Sequence, residues 1–350
     1  MEEENKEETN IPKDENTSPE EKTTSSDSEL GGTNPEIEWL AERVNQIRSS
    51  LGDYIIGQHE VVDLLMTGIF SAGHILLEGV PGVAKTLSAK VLAKALDIDF
   101  SRIQFTPDLM PSDVIGTSVY NMKESTFSFK KGPIFSNIVL IDEINRAPAK
   151  TQAALLEVME ERQITYDGES YQTSRPFMVI ATQNPIEQEG TYSLPEAQLD
   201  RFLFKIQLDY PSLDEEIEII NRYKNNIQQA DLSKIKAVLT ATDLIKIQEL
   251  ISTIKVADNI VRYVAQIVHA TRAHGQLYLG GSPRASLSIL KSAKAFAAIQ
   301  GRDYVIPDDI QLVAEHVMNH RLILTPEAEM DGTTTKEIIK TIIHEIEVPR

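Results

Sequence analysis

His74-Ile75-Leu76-Leu77-Glu78-Gly79-Val80-Pro81-Gly82-Val83-Ala84-Lys85-Thr86 is the stretch on which the reading of this chain turns. A short apolar run passes into a glycine-bearing bend, and Lys85 to Leu96 then shows helical spacing. A bound phosphate requires backbone N–H groups gathered in a tight loop and a helix N-terminus aimed at it. It also requires a lysine for the β and γ phosphates and a hydroxyl for Mg²⁺. Gly79, Val80, Pro81, Gly82, Val83, Ala84, Lys85 and Thr86 supply each part in order. One position departs from the usual G-x-x-x-x-G-K-[ST] pattern, because Ala84 stands where the last glycine is expected, and alanine is strained if φ is positive there. A strand-to-helix turn of purely structural purpose is the competing reading.

Working outward, apolar runs alternate with helical segments: Ile103 to Phe105, Ile138 to Ile141, the helical Thr151 to Arg162, and Phe177 to Ala181. Nearly continuous apolar strands separated by helices are what a parallel sheet covered on both faces demands. Residues 36–210 are therefore expected to form an α/β domain. Ile138-Val139-Leu140-Ile141 ends in Asp142-Glu143, which places two acids at a strand tip. In that position Asp142 would hold the water shell of the metal and Glu143 would act as general base, the alternative being an acidic cap after a core strand. The run ending in Thr182-Gln183-Asn184-Pro185 sets a neutral amide at the same sheet edge. Asn184 is read equally as a group that orients water or touches the γ-phosphate and as a turn residue before proline.

Beyond Tyr210-Pro211-Ser212 helical periodicity takes over, with segments such as Leu213 to Tyr223, Asp258 to His274, Ser286 to Gln300 and Thr335 to Glu347. Residues 211–350 are expected to form an all-helical second domain, in keeping with a length of 350, since single cores stop growing by roughly 250 to 300 residues. Residues 1–35 form a separate acidic tail. Its first thirty residues hold eleven acids, three lysines and few apolar side chains, too little to repay the cost of ordering, so it is expected to be disordered. No run reaches the ~18 apolar residues of a membrane span and no apolar leader is seen, so a cytoplasmic protein without a transmembrane segment is expected. The absence of cysteine excludes disulfides, thiolate metal sites and a cysteine nucleophile. A net charge of −19 argues against a duplex-DNA binder, which gathers a basic face, although a local basic patch is still compatible with it. His316 and His320 have zinc-binding spacing but lack the internal glutamate of H-E-x-x-H, so no zinc site is expected there.

The ordered set of these motifs resembles the MoxR family of AAA+ ATPases. The resemblance is carried by Ile56-Gly57-Gln58, by Gly79 to Thr86 with its Ala before Lys, by Leu140 to Pro148, by Thr182 to Pro185, by Leu194 to Phe202 and by Gly281 to Ala285. It implies a P-loop AAA+ parallel-sheet domain followed by a helical lid, with Gly57 and Gln58 packed near adenine. It implies ATP and Mg²⁺ as cofactors, Asn184 as a sensor-1 residue, Arg201 as an arginine finger reaching a neighbour's γ-phosphate, and Arg284 as a sensor-2 arginine in its own or a neighbouring subunit. It further implies a homo-oligomeric ring, hexameric in the family, that remodels or matures a client protein as a chaperone does. A von Willebrand A partner would be a separate chain, since no D-x-S-x-S run is present. The segment Thr106 to Lys131 resembles the hairpin that relatives point into a ring's pore, and a surface hairpin with its own small core is the alternative.

Two other functions compete with this reading. A helicase-like nucleic-acid motor is disfavoured by the acidic balance and the lack of a helix-turn-helix or zinc module. A scaffold that binds ATP without hydrolysing it is disfavoured by the presence of every catalytic residue type. The sequence does not name the client.

Overall fold

The computed structural model describes residues 34–52, 54–123, 125–185, 192–224 and 231–349. Apart from Asn34 and Pro35, the acidic tail lies outside the described residues. Five strands form the central sheet: β1 (His74–Gly79), β2 (Phe100–Gln104), β3 (Ile138–Asp142), β4 (Met178–Gln183) and β5 (Phe202–Leu208). Their order is β2-β3-β4-β1-β5, and every pairing is parallel. Strand tips that leave the sheet in one direction share one edge, so Gly79, Asp142 and Gln183 are brought side by side.

The apolar runs serve two cores because successive side chains of a strand point to opposite faces. Ile75, Leu77, Ile138, Leu140, Met178 and Ile180 enter one core. That core is shared with α1 (Pro35–Gly52), α2 (His59–Phe70) and α3 (Lys85–Ala95). Leu76, Val139, Ile141, Val179, Ala181 and Phe202 enter the other, against α4 (Ala149–Glu161). A sheet buried on both faces in this way is the parallel α/β arrangement that the apolar runs require.

The C-terminal part contains α5 (Leu213–Tyr223), α6 (Ala241–Ser252), α7 (Asp258–Ala273), α8 (Pro283–Ile299), α9 (Pro307–Met318) and α10 (Thr335–Glu345). Ser212, Thr240 and Thr334 cap three of them, each paired reciprocally with an acid three residues on. Pro283 and Pro307 open α8 and α9, where a missing N–H costs nothing. Helix α8 is the hinge of the packing: Ile289, Ala293 and Ala297 are fully buried and join the same core as α1 and α2.

Three elements differ from the expectation. The C-terminal part is not wholly helical, because Leu277–Leu279 pairs antiparallel with Ile323–Leu324 and closes the loop between α7 and α8. The edge strand β5 was not anticipated, nor was the hairpin Gln163–Tyr166 with Glu169–Gln172. The hairpin expected between Thr106 and Lys131 is present as Gly116–Asn121 paired with Thr126–Lys131. Phe129 stacks on Tyr171 at 4.5 Å, whereas Phe127 is 72% exposed beside Tyr120. No helix among the described residues is long and apolar enough to cross a membrane.

Candidate functional site

The phosphate-type loop hangs between the tip of β1 and the start of α3. Its backbone turns back through positive φ twice, at Gly82 (+94°) and at Ala84 (+60°). The strained position foreseen for alanine is therefore real, and it aims the first turn of α3 across the loop. First-turn N–H groups have no intrahelical acceptor, so this end of α3 is a natural cradle for an anion. Val83 is buried and anchors the loop from beneath. Lys85 Nζ donates to Gly79 O at 2.5 Å and to Gln183 O at 3.4 Å, which holds the ammonium over the gap between β1 and β4.

Thr86 and Asp142, 56 residues apart in sequence, meet here: Thr86 Oγ1 donates to Asp142 Oδ1 at 3.5 Å. Thr182 Oγ1 donates to the same oxygen at 3.3 Å, and Arg102 Nε to Oδ2 at 2.5 Å. A hydroxyl beside a buried carboxylate is a hard-oxygen donor set, which fits a magnesium ion that keeps most of its waters. Glu143 adopts a left-handed backbone (φ +58°) and its N–H donates to Thr182 Oγ1 at 3.1 Å. Its carboxylate is bridged by Gln104 Nε2 at 2.9 Å and Arg146 Nε at 2.8 Å. Asn184 is buried just past β4, at the same edge.

Gly57 and Gln58 close the other side. Gln58 Nε2 donates to Val83 O at 3.2 Å, which ties this segment to the loop. Gln58 Oε1 is buried with no hydrogen-bond partner among the described residues. A cavity of about 240 Å³ lies alongside, lined by Gly57, Gln58, Leu208, Tyr210, Pro211 and His316. Its acidic rim includes Glu60, held below the usual carboxylate range by a 2.9 Å hydrogen bond with His316.

The structure thus unites Gly57, Gln58, Gly79 to Thr86, Asp142, Glu143 and Asn184, but it places Arg201 and Arg284 elsewhere. Arg201 donates to Leu156 O and lies 4.0 Å from Glu160. Arg284, 62% exposed, reaches the same Glu160 at 3.5 Å and Asp200 at 3.6 Å. Arg321, buried, secures Asp200 from the other side at 2.6 Å. Glu160, Asp200 and Arg201 border a cavity that also contains His74, the first residue of β1. The loop leaves the last residue, so about 17 Å of strand separates the two places.

Sequence reasoning missed Arg102, Gln104, Arg146 and Thr182. The first two stand on β2, whose register sets Gln104 opposite Asp142 and Arg102 opposite Leu140. Thr182 and Arg146 carried a signal, the first in the run that ends in Asn184 and the second in the run from Leu140 to Pro148. Of the two histidines with zinc-binding spacing, His316 pairs with Glu60, and His320 Nε2 lies 3.0 Å from Phe202 O. No group of three or more His, Cys, Asp or Glu suited to a metal occurs among the described residues.

Comparison with known proteins identifies the family and the fold. Residues 74–204 match the ATPase family associated with various cellular activities (AAA), and residues 269–342 match the AAA lid domain. Chaperone MoxR1 of Mycobacterium tuberculosis is 45% identical over 325 residues, which is 89% of this chain and 85% of that protein. The uncharacterized protein YeaC of Bacillus subtilis is 44% identical over 315 residues, 90% of this chain and 95% of its own. The crystal structure of a candidate ATPase from Cytophaga hutchinsonii matches with a TM-score of 0.83 at 43% identity, covering 90% of this chain and 98% of that one. Motifs, sheet order and relatives lead to one assignment: the chain belongs to the MoxR family of AAA+ ATPases.

Proposed function

We propose that this chain hydrolyses ATP as a homo-oligomeric ring and uses the turnover to remodel or mature a client protein. The observation that carries the proposal is the split arrangement: the loop and its acids lie at one end of β1, and the two arginines lie at the other. A single copy has the cradle with Lys85 but holds Arg201 and Arg284 away from it, and a second copy can bring those two guanidinium groups to the transferring phosphoryl group. This favours Arg201 and Arg284 acting on a neighbour's nucleotide.

In this reading the loop N–H groups and Lys85 bind the β and γ phosphates, and Thr86 and Asp142 hold magnesium. Bound there, the metal would neutralise phosphate oxygens as charge develops. Glu143 leaves Gln104 and Arg146, takes a proton from water and directs the attack on the γ-phosphate, while Asn184 orients that water. Gln58 Oε1 offers an acceptor to the exocyclic amine of adenine, which favours ATP over GTP. Residues 36–210 act as the nucleotide-binding domain and residues 211–350 as a lid whose movement transmits the nucleotide state. The ring is proposed to have six copies, to be cytoplasmic and to work with a separate von Willebrand A protein, as the family resemblance suggests. The name of the relative Chaperone MoxR1 supports the client-remodelling part.

The test is a set of three variants. Lys85→Ala is expected to lose ATP binding, Glu143→Gln to bind but not turn over, and Arg201→Ala to bind in each subunit without hydrolysis. Full turnover by a strictly monomeric sample would refute the shared site. Identifying what co-purifies with the ATP-loaded Glu143→Gln protein would name the client.

A further inference from the structure

A triphosphate carries more charge than two arginines match, and the surface around them contains further cations that no role yet explains. Helix α8 presents Arg284, then Leu287, which is 68% exposed, and then Lys291 at helical spacing on one face. Lys291 faces the cavity of about 250 Å³ at the base of β1, together with Arg162, Arg201 and Arg321. Among the described residues that line it, these four cations meet only the carboxylates of Glu160 and Asp200, on a chain whose net charge is −19.

Those two acids are already committed to Arg201, Arg284 and Arg321. Among the described residues, neither Lys291 nor Arg162 has a carboxylate within ion-pair distance. Arg162 closes the C-terminus of α4 in a left-handed conformation, and its Nη2 donates only to Ala72 O at 3.0 Å. Lys291 is solvent-exposed as a residue, yet crowding around its ammonium first, and then the neighbouring Arg162, pulls that ammonium below the usual lysine range. Burial, followed by Arg175, pulls Arg162 in the same direction. Both cations are thus partly desolvated and each lies near another cation, two costs that a bound anion would offset.

We propose that Lys291 and Arg162 form an oxyanion site that takes the terminal phosphate of a nucleotide, beside Arg201 and Arg284. The ligand chemistry is a tetrahedral phosphate with two conceivable sources, a nucleotide held by a neighbouring copy or free inorganic phosphate. The first is favoured because Arg201 lines the same cavity and Arg284 shares its two carboxylates. This assignment rests on the ring reading above and extends it to residues that the motifs do not mark.

The experiment uses the full-length chain. Lys291→Met is expected to lower steady-state ATP hydrolysis of the assembled protein about tenfold or more. Binding of a fluorescent ATP analogue by the dilute monomer should be unchanged, and Lys291→Arg should recover most of the rate. Mixing Lys291→Met subunits, whose loops are intact, with Lys85→Ala subunits, whose cation cavities are intact, restores turnover if the phosphate belongs to a neighbour. Calorimetric titration of the Lys85→Ala protein with inorganic phosphate shows saturable uptake that requires Lys291 if free phosphate is the source. Wild-type hydrolysis by Lys291→Met, together with no Lys291-dependent phosphate uptake, overturns the proposal. A wild-type chain that is fully active as a monomer would instead sink the ring reading, and the phosphate titration alone would then decide this site.

Discussion

Acid should weaken this fold before its carboxylates begin to titrate, and His74 gives the reason. Its ring is buried at the start of β1, edge-on to Phe177, with Nε2 3.1 Å from Met159 O and Nδ1 accepting from Val179 N at 2.9 Å. Both contacts are satisfied by the neutral Nε2–H tautomer. Burial, and to a smaller extent Arg162 and Lys291, lowers its pKa from 6.5 to about 4. The folded state therefore binds fewer protons than the unfolded chain between those values. Stability is fully present above pH 6.5 and is lost as pH falls toward 4. The loss is about 2 kcal/mol by pH 5 and about 3 kcal/mol in all. His320, buried and lowered well below its ordinary value by burial and by Arg321, adds a loss of the same sign. Thermal unfolding followed between pH 7.5 and 5 should show a falling midpoint. In His74→Gln the midpoint starts lower, because two buried contacts are weakened, but it falls less steeply. Parallel curves for the two proteins, or an NMR titration placing the His74 transition near 6.5, would refute the argument.

Three further outcomes follow from the site. Gln58→Leu removes the unpartnered acceptor Oε1, and ATP affinity in a fluorescence titration should drop about tenfold while GTP affinity holds. Arg102→Met frees Asp142 Oδ2 from a competing cation, so the Mg²⁺ concentration for half-maximal nucleotide binding should fall about two- to fivefold. Gly57→Ala forces a side chain into φ +77° and sets its Cβ 2.0 Å from Glu215 Oε1, the acid that caps α5 with Ser212. Calorimetry should register a loss of about 2 kcal/mol from backbone strain and the broken cap together.

Local chemistry made much of this legible. The loop from Gly79 to Thr86 and the acids Asp142 and Glu143 are contiguous signals, and Leu213–Tyr223 was bounded by its own capping box. What escaped were edges and long-range meetings. β2 begins at Phe100 rather than Ile103 because an edge strand needs less apolar surface, and Ser101 and Arg102 hid it. β5 was hidden in Phe202-Leu203-Phe204-Lys205-Ile206-Gln207-Leu208, where Leu203 interrupts the alternation while being buried itself. The company of Arg201 and Arg284 was invisible for a different reason. They lie 83 residues apart and share Glu160, a carboxylate that no motif marks. The bridge from Gln104 to Glu143 likewise depends on β2 lying beside β3, a fact of sheet order.

If Arg201 and Arg284 serve a neighbour's nucleotide as proposed, the placement of cradle and arginines at opposite ends of β1 also governs how copies meet. Joining them calls for head-to-tail contacts, which extend an assembly until rotation brings the last copy back to the first. An open arc of n copies would complete n − 1 active centres, with an empty-handed loop at one terminus and idle guanidinium groups at the other. Turnover per subunit would then climb with arc length, and closure would add a centre without adding a molecule.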